Sequence, residues 1–112
     1  MTPEEQFVNL SAAFAHDPEV LLPAEGKEFG SGGLRHKGKI FAMLTRGCLV
    51  LKLPSIRVDS LVGSGDGARF DGNKGRPMRE WFTLDPDSTL NWESLAREAL
   101  AFVSSNQPGK RR

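Results

Sequence analysis

The sequence predicts an α+β fold: an antiparallel sheet of about five strands, with N- and C-terminal helices packed on one face. A short helix is predicted between strands three and four. Two observations indicate this class. Apolar residues recur at helical spacing near both ends of the chain. Between these segments, short apolar runs alternate with glycine-containing turns, which is typical of antiparallel strands joined by hairpins.

The first helix is predicted to begin at Pro3. Thr2 can cap it, proline favours the first helical position, and Glu5 is placed to complete a capping box. An apolar stripe at helical spacing should pack on the sheet, and it consists of Phe7, Leu10 and Phe14. The helix should end before residues 17–18, since proline cannot continue it. The apolar link over 20–23 is too short to assign by periodicity.

Three strands of a meander are predicted next, separated by tight turns at 37–38 and 46–47. They are expected over 33–36, 39–44 and 48–53. In the last of these strands, Cys48, Val50 and Lys52 alternate with Leu49, Leu51 and Leu53. Because successive side chains of a strand point to opposite faces, the leucines should point into the core and Lys52 toward solvent.

The second half of the chain predicts a short helix, a hairpin and a closing helix. Ser55 can cap the short helix, which should extend to residue 62. A glycine-rich turn over 72–77 predicts a hairpin between a strand around 69–71 and a return strand over 78–84. Neither side of the return strand is cleanly polar, so its facing stays open. The closing helix is predicted over 90–105 and should cover the sheet.

Length and composition predict one domain over residues 1–105, followed by a disordered basic tail over 106–112. With 112 residues and 38% hydrophobic content, the chain can bury a core without disulfides or a structural metal. The lone Cys48 fits a reducing compartment. No signal peptide or membrane segment is recognisable, so we expect a cytoplasmic protein with no membrane partner.

The charges are unevenly distributed, although the net charge is only +1. Residues 1–28 carry six acids and one lysine, whereas residues 29–58 carry six basic residues and no acid. A basic segment of this kind can be the footprint of an anionic partner. Solvated lysines and arginines on turns and strand faces give the same distribution, and the sequence leaves both interpretations open.

Three short segments of the sequence carry recognisable motifs. They are Gly38-Lys39-Ile40-Phe41-Ala42-Met43, Leu49-Val50-Leu51-Lys52-Leu53, and Phe70-Asp71 followed by Lys74-Gly75-Arg76-Pro77-Met78. Together they resemble the N-terminal domain of TfoX-type proteins over roughly residues 5 to 103, and they are also similar to the neighbouring YjbR-type proteins, some of which are described as DNA-binding. The resemblance implies an α+β sheet with helices mainly on one face, in bacterial cytoplasm, and a regulatory role without a catalytic residue set.

Motifs of known chemistry are incomplete in this chain. Residues 33–40 match the spacing of a phosphate-binding loop, but Ile40 replaces the hydroxyl residue that holds magnesium, and a strand follows where a helix is needed. His16 and His36 lack metal-ligand spacing and are expected at the surface. Cys48 has no neighbouring base and is expected to be a buried or edge thiol. We therefore predict no enzymatic activity, no catalytic or metal site and no cofactor.

The best candidate binding residues lie around Trp81, because cations and aromatic rings together suit anions and stacked bases. The candidates are Lys52, Arg69, Lys74, Arg76, Arg79 and Trp81. Alternatively, Trp81 belongs to the core and the arginines pair with nearby acids. We expect a protein partner or self-association, with nucleic acid as the alternative. A small-molecule site would need a pocket that joins His36, Cys48 and the Arg76 region.

Overall fold

Three α-helices and six β-strands form the structure, a computed structural model that describes residues 2–22, 33–70 and 78–105. The helices are α1 (Pro3–Ala13), α2 (Ser55–Gly63) and α3 (Trp92–Ser105), and the strands are β1 (Val20–Leu21), β2 (Leu34–His36), β3 (Lys39–Thr45), β4 (Cys48–Lys52), β5 (Gly67–Arg69) and β6 (Trp81–Leu84). The predicted α+β class is confirmed. The turn over 72–77, the candidates Lys74 and Arg76, and the tail over 106–112 lie outside the described residues.

The strands form one antiparallel sheet in the order β1-β2-β3-β4-β6-β5. The strand that was not predicted is β1, which occupies the short apolar link and pairs with β2. The first four strands lie in the sheet in the same order as in the sequence. The chain then crosses through α2 to the sheet edge, where β5 lies, and returns as β6 between β4 and β5.

Two-residue turns join β2 to β3 and β3 to β4, as the glycine positions predict. The φ angles are 51° and 85° at Lys37 and Gly38, and 53° and 78° at Arg46 and Gly47. Positive φ at both turn residues matches the right-handed twist of the flanking strands. The turns therefore set the register of the predicted meander.

A β-bulge in β3 decides which of its side chains face the helices. The register of β2 with β3 shifts after Leu34, and Phe41 has no partner on β2. Phe41 is fully buried, and its ring contacts that of Phe14 edge-to-face at a centroid distance of 5.6 Å. The preceding residue, Ile40, pairs with Arg35 and shares the other face of the sheet with it.

All three helices pack on one face of the sheet, as predicted for the two terminal ones. Their buried side chains form one hydrophobic cluster with alternate strand residues, among them Leu49, Leu51, Leu53, Phe82 and Leu84. The leucines predicted to point into the core do so. The strand residues that alternate with them lie on the opposite side, which carries none of the three described helices and which we call the open face. Within the described part of the chain, no helix has the length and apolar character needed to cross a bilayer.

The N-terminus of α1 carries the predicted capping box. Thr2 Oγ1 accepts a hydrogen bond from the Glu5 amide at 3.0 Å, and Glu5 Oε1 accepts one from the Thr2 amide at 3.0 Å. Two amide groups that helix geometry leaves unpaired are thereby satisfied.

Several element boundaries differ from the sequence prediction. β5 covers Gly67–Arg69 rather than the region around 69–71, and β3, β4 and α2 each end one residue away from the predicted position. β6 begins at Trp81 rather than Met78, because residues 78–81 form a turn in which the Trp81 amide donates to the Met78 carbonyl at 3.4 Å. α3 begins at Trp92 rather than at residue 90, because Asn91 Oδ1 accepts a hydrogen bond from the Ser94 amide at 2.9 Å and caps the helix there.

The expectation that His36 lies at the surface is wrong. His36 is 5% exposed because it alternates with Arg35 and therefore points to the helix-bearing side, like Leu34. Its Nε2 lies 3.0 Å from Oε1 of Glu19, so a buried imidazole links β2 to the residue before β1.

Candidate functional site

The open face brings Lys52 and Trp81 together, although the sequence leaves the facing of Trp81 undecided. Leu51 pairs with Phe82, and both side chains point toward the helices. Because side chains alternate along a strand, the neighbouring pair of Lys52 and Trp81 lies on the open face. This pair is the centre of the candidate site, and we call it the Trp81 ridge.

The Lys52 side chain lies over the indole ring of Trp81. Its Nζ is 5.2 Å from the ring centroid, within the range of a cation–π contact. The same atom lies 3.6 Å from Oε1 of Glu80, and 28% of the lysine side chain is exposed. Lys52 is therefore held against the ring rather than extended into solvent. A cation–π contact at an accessible position contributes about 0.5–1 kcal/mol.

Two grooves adjoin the Trp81 ridge, and both ridge residues line each of them. The first groove, of about 470 Å³, is completed by Gly38, Lys39, Ile40, Met43 and Val103. The second groove, of about 490 Å³, is completed by Ser55, Met78, Arg79 and Glu80. The ridge therefore separates two depressions of nearly equal size, each with apolar and charged lining.

The rest of the open face is apolar near its centre. Val50 pairs with Met43 on one side and Thr83 on the other, and its side chain is fully buried. At the β1 edge, Leu21 is 60% exposed and pairs with Arg35. No acid occurs among the strand residues of the open face in the described part of the chain.

The predicted site residues separate into two groups. Lys52, Arg79 and Trp81 lie together, with Arg79 exposed in the turn before β6 and lining the second groove. Arg69 lies apart from them, because it pairs with Phe82 and so points to the helix-bearing side, where its Nη2 forms an ion pair with Asp59 of α2. The two remaining candidates lie outside the described residues.

Several groove residues were not among the sequence candidates. Met43 could have been assigned to the open face, since it alternates with the buried residues Ala42 and Leu44. Ile40 could not have been assigned in this way. The side of the sheet on which its side chain lies depends on the bulge at Phe41, which no sequence pattern indicates. Lys39 belongs to the basic segment over 29–58 that the sequence singles out. The groove residues that the prediction missed altogether are Gly38, Ser55, Met78, Glu80 and Val103, besides Ile40 and Met43.

A third groove, of about 250 Å³, is lined by residues from the start of α1, the β3–β4 turn and the segment after β6. It includes Cys48, whose thiol is free and half-buried. Among the described residues, no group of three or more His, Cys, Asp or Glu side chains is placed to hold a metal ion. The groups assembled around the Trp81 ridge are apolar and cationic, together with the carboxylate of Glu80.

Comparison with known proteins gives no relative from which a function could be transferred. No protein-family model, no curated protein and no solved structure matches the chain.

Proposed function

We propose that the chain is a non-enzymatic module that binds a protein partner through the open face of its sheet. The observation that carries the proposal is the position of Trp81, which is partly exposed, lies opposite the helices and separates two grooves. Tryptophan is enriched at the centres of protein interfaces, because it buries a large rigid surface and keeps a polar N–H group for pairing.

The resemblance to TfoX-type N-terminal domains supports a regulatory role in bacterial cytoplasm. Two of the segments that carry the resemblance, 38–43 and 49–53, supply most of β3 and β4. These strands contribute Ile40, Met43 and Lys52 to the grooves. The resemblance supports the proposed regulatory role, and the groove geometry supports the proposed location of the binding surface.

Nucleic-acid binding of the YjbR-like type is the second candidate function. It is favoured by an aromatic ring and three cations, on Lys39, Lys52 and Arg79, at one end of an antiparallel sheet. Single-stranded nucleic acids bind surfaces of this kind by stacking bases on rings and pairing phosphates with cations. Affinity would then fall steeply as salt rises, because phosphate contacts release counterions.

Affinity purification tests the first candidate. The wild-type chain and the variants Trp81→Ala and Val8→Ser are each immobilised and exposed to a lysate of the source organism, and each is analysed for self-association by sedimentation. Val8 is the matched control, since it is 57% exposed on α1, on the opposite side of the sheet. We expect one protein, or the chain itself, to associate with the wild type and Val8→Ser but not with Trp81→Ala.

Two results would contradict the proposal. The first is a monomeric wild-type chain that retains no protein. The second is a partner that Trp81→Ala retains as well as the wild type does, which would place the interface elsewhere on the molecule.

A further inference from the structure

The geometry points to a partner segment that presents acidic side chains next to apolar ones and lies across both grooves of the Trp81 ridge. This inference rests on the proposed protein-binding function and names the chemistry of the partner. Apolar side chains of the segment occupy the two grooves on either side of Trp81, and its carboxylates pair with Lys39 and Arg79 at the groove margins.

The apolar part of the inference follows from the groove linings. Ile40, Met43 and Val103 line the first groove, and Met78, which is 36% exposed, lines the second. Trp81 also lines both grooves. Apolar surface that partly faces water is stabilised when a partner's apolar side chain covers it, and methionine adapts its shape to such contacts.

The acidic part follows from the charge balance of the described groove residues. Lys39, Lys52 and Arg79 are cationic, whereas Glu80 is the one acid, which leaves an excess of two positive charges. Glu80 already pairs with Lys52. Neither Lys39 nor Arg79 forms an ion pair with any described residue. Interfaces pair opposite charges, so these two cations select a segment that carries carboxylates.

The same charge balance argues against a second copy of the chain as the occupant. In a symmetric face-to-face dimer, the same patch would meet itself across a two-fold axis. The cations of one copy would then approach those of the other, and like charges across an interface are unfavourable. Among the strand residues that the structure describes on the open face, no acid is present that could compensate.

A nucleic acid fits this surface less well than an acidic polypeptide. One face of the Trp81 ring is covered by Lys52, which leaves less of the ring for base stacking. Trp81 is the only aromatic residue among the described residues of the two grooves. The carboxylate of Glu80 also lines the second groove, where it would repel a phosphate.

Selection from a phage library of random dodecapeptides tests the inference without assuming a sequence. The library is selected on the immobilised full chain, and binders that also bind Trp81→Ala are removed. The most enriched peptide is synthesised, together with a counterpart in which every Glu and Asp is replaced by its amide. Affinities for both peptides are measured by fluorescence polarisation, with single-stranded oligodeoxythymidine as the nucleic-acid probe and sedimentation for self-association.

We expect enriched peptides that combine acidic and apolar residues. Trp81→Ala should weaken binding of the selected peptide by about 30-fold or more, as for a central interface tryptophan. Lys39→Gln and Arg79→Gln should each weaken it by about two- to fivefold, as for exposed ion pairs, and Val8→Ser should leave it unchanged. The amide counterpart should bind wild type more weakly and lose its sensitivity to Lys39→Gln.

Each alternative outcome identifies what has failed. Enriched peptides that are neutral or basic and depend on Trp81 overturn the acidic partner and leave the protein-binding function standing. Tighter binding of the oligonucleotide than of any peptide, or dimerisation that Trp81→Ala abolishes, overturns the partner class in favour of that occupant. Failure to enrich any Trp81-dependent peptide, combined with no Trp81-dependent partner in the affinity purification, overturns both proposals.

Discussion

Trp81 and Phe82 are neighbours in β6 with opposite environments. Phe82 is fully buried in the helix-side cluster, whereas Trp81 is partly exposed on the open face under Lys52. The difference arises from strand alternation, which sends successive side chains to opposite sides of the sheet. Phe82 therefore contributes mainly to the stability of the fold, whereas Trp81 contributes to the open face of the sheet.

The free energy of unfolding should respond very differently to alanine at these two positions. Phe82→Ala should lower it by about 3–5 kcal/mol, because it removes a fully buried ring and leaves a cavity. Trp81→Ala should lower it by only about 1 kcal/mol, mainly through loss of the contact with Lys52. Chemical denaturation of both variants checks this. Equal losses would mean that Trp81 is a core residue.

The sequence predicts the facing of Lys52 but not that of Trp81 or His36. Lys52 alternates with three leucines, so burial of the leucines places it on the opposite side. The stretch 78–84 has mixed residues on both sides, and only its pairing with β4 decides its facing. A single histidine next to a turn shows no pattern of burial, and the core contact of His36 depends on residues distant in sequence.

At the scale of elements, the edge strand β5 requires a close approach to β6. A Cβ placed on Gly67 would lie 2.1 Å from the Thr83 carbonyl oxygen and 2.5 Å from the Phe82 ring. Backbone atoms cannot yield by that amount without moving the strand. Gly63, at the end of α2, has no atom within 4 Å of the same position.

Alanine at these two glycines should therefore have opposite effects on thermal stability. Gly67→Ala should destabilise the chain by about 1–3 kcal/mol through overpacking against β6. Gly63→Ala should be neutral, or stabilising by up to about 0.5–1 kcal/mol, because alanine loses less backbone freedom on folding. Calorimetric unfolding of both variants is the measurement, and a neutral Gly67→Ala would show that β5 does not pack closely on β6.

The helices α2 and α3 are joined by a two-point contact between Arg57 and Glu98. Arg57 Nε lies 2.8 Å from Oε1 and Nη2 lies 3.1 Å from Oε2, with the side chains 38% and 41% exposed. The hydrogen bond from Arg57 to Glu98 raises the pKa of the arginine, which outweighs the opposing effect of its burial. A raised pKa of Arg57 in the folded state means that its charged form stabilises the fold. This stabilisation is fully present below the ordinary pKa of arginine and is lost only above the raised pKa, so Arg57 stays charged throughout the neutral range.

A double-mutant cycle with Arg57→Ala and Glu98→Ala should give a coupling free energy of about 0.5–1 kcal/mol, since the pair is substantially exposed. The coupling should shrink at high salt. Because Arg57 stays charged, titration of the arginine should not change the coupling free energy between mildly acidic and mildly alkaline pH. Denaturation at two salt concentrations and several pH values provides the test, and a coupling near zero would mean that the helices are held by apolar packing alone.

Local patterns predict most elements but not the sheet order. The meander follows from turn residues and alternation, and the capping box fixes the start of α1. β1 has only two residues, too few to show a period of two. The place of β6 between β4 and β5 depends on long-range pairing, which propensity does not encode.

Viewed over the whole molecule, the helices lie on one side of the sheet and the pair of Lys52 and Trp81 on the other. The proposed grooves reach from this pair to Val103 of α3 and Ser55 of α2. The acids Glu4 and Glu5 are in the first turn of α1, on the helix side. Arg35 and Lys52 lie on the open face, whereas Lys39 pairs with the helix-facing His36 and lines the first groove from the start of β3. The basic residues of the segment 29–58 are therefore distributed over both sides of the sheet, since Arg57 pairs with Glu98 between two helices.

Acrylamide quenching of tryptophan fluorescence reports whether Trp81 is accessible on the surface and whether a bound peptide covers it. In the variant Trp92→Phe, Trp81 is the only tryptophan left of the two in the chain. We predict that acrylamide quenches its emission in the free protein and that the peptide selected on the wild type protects it. Emission that acrylamide cannot reach in the free chain, or quenching that is the same with and without bound peptide, would contradict a displayed Trp81 at the centre of the interface.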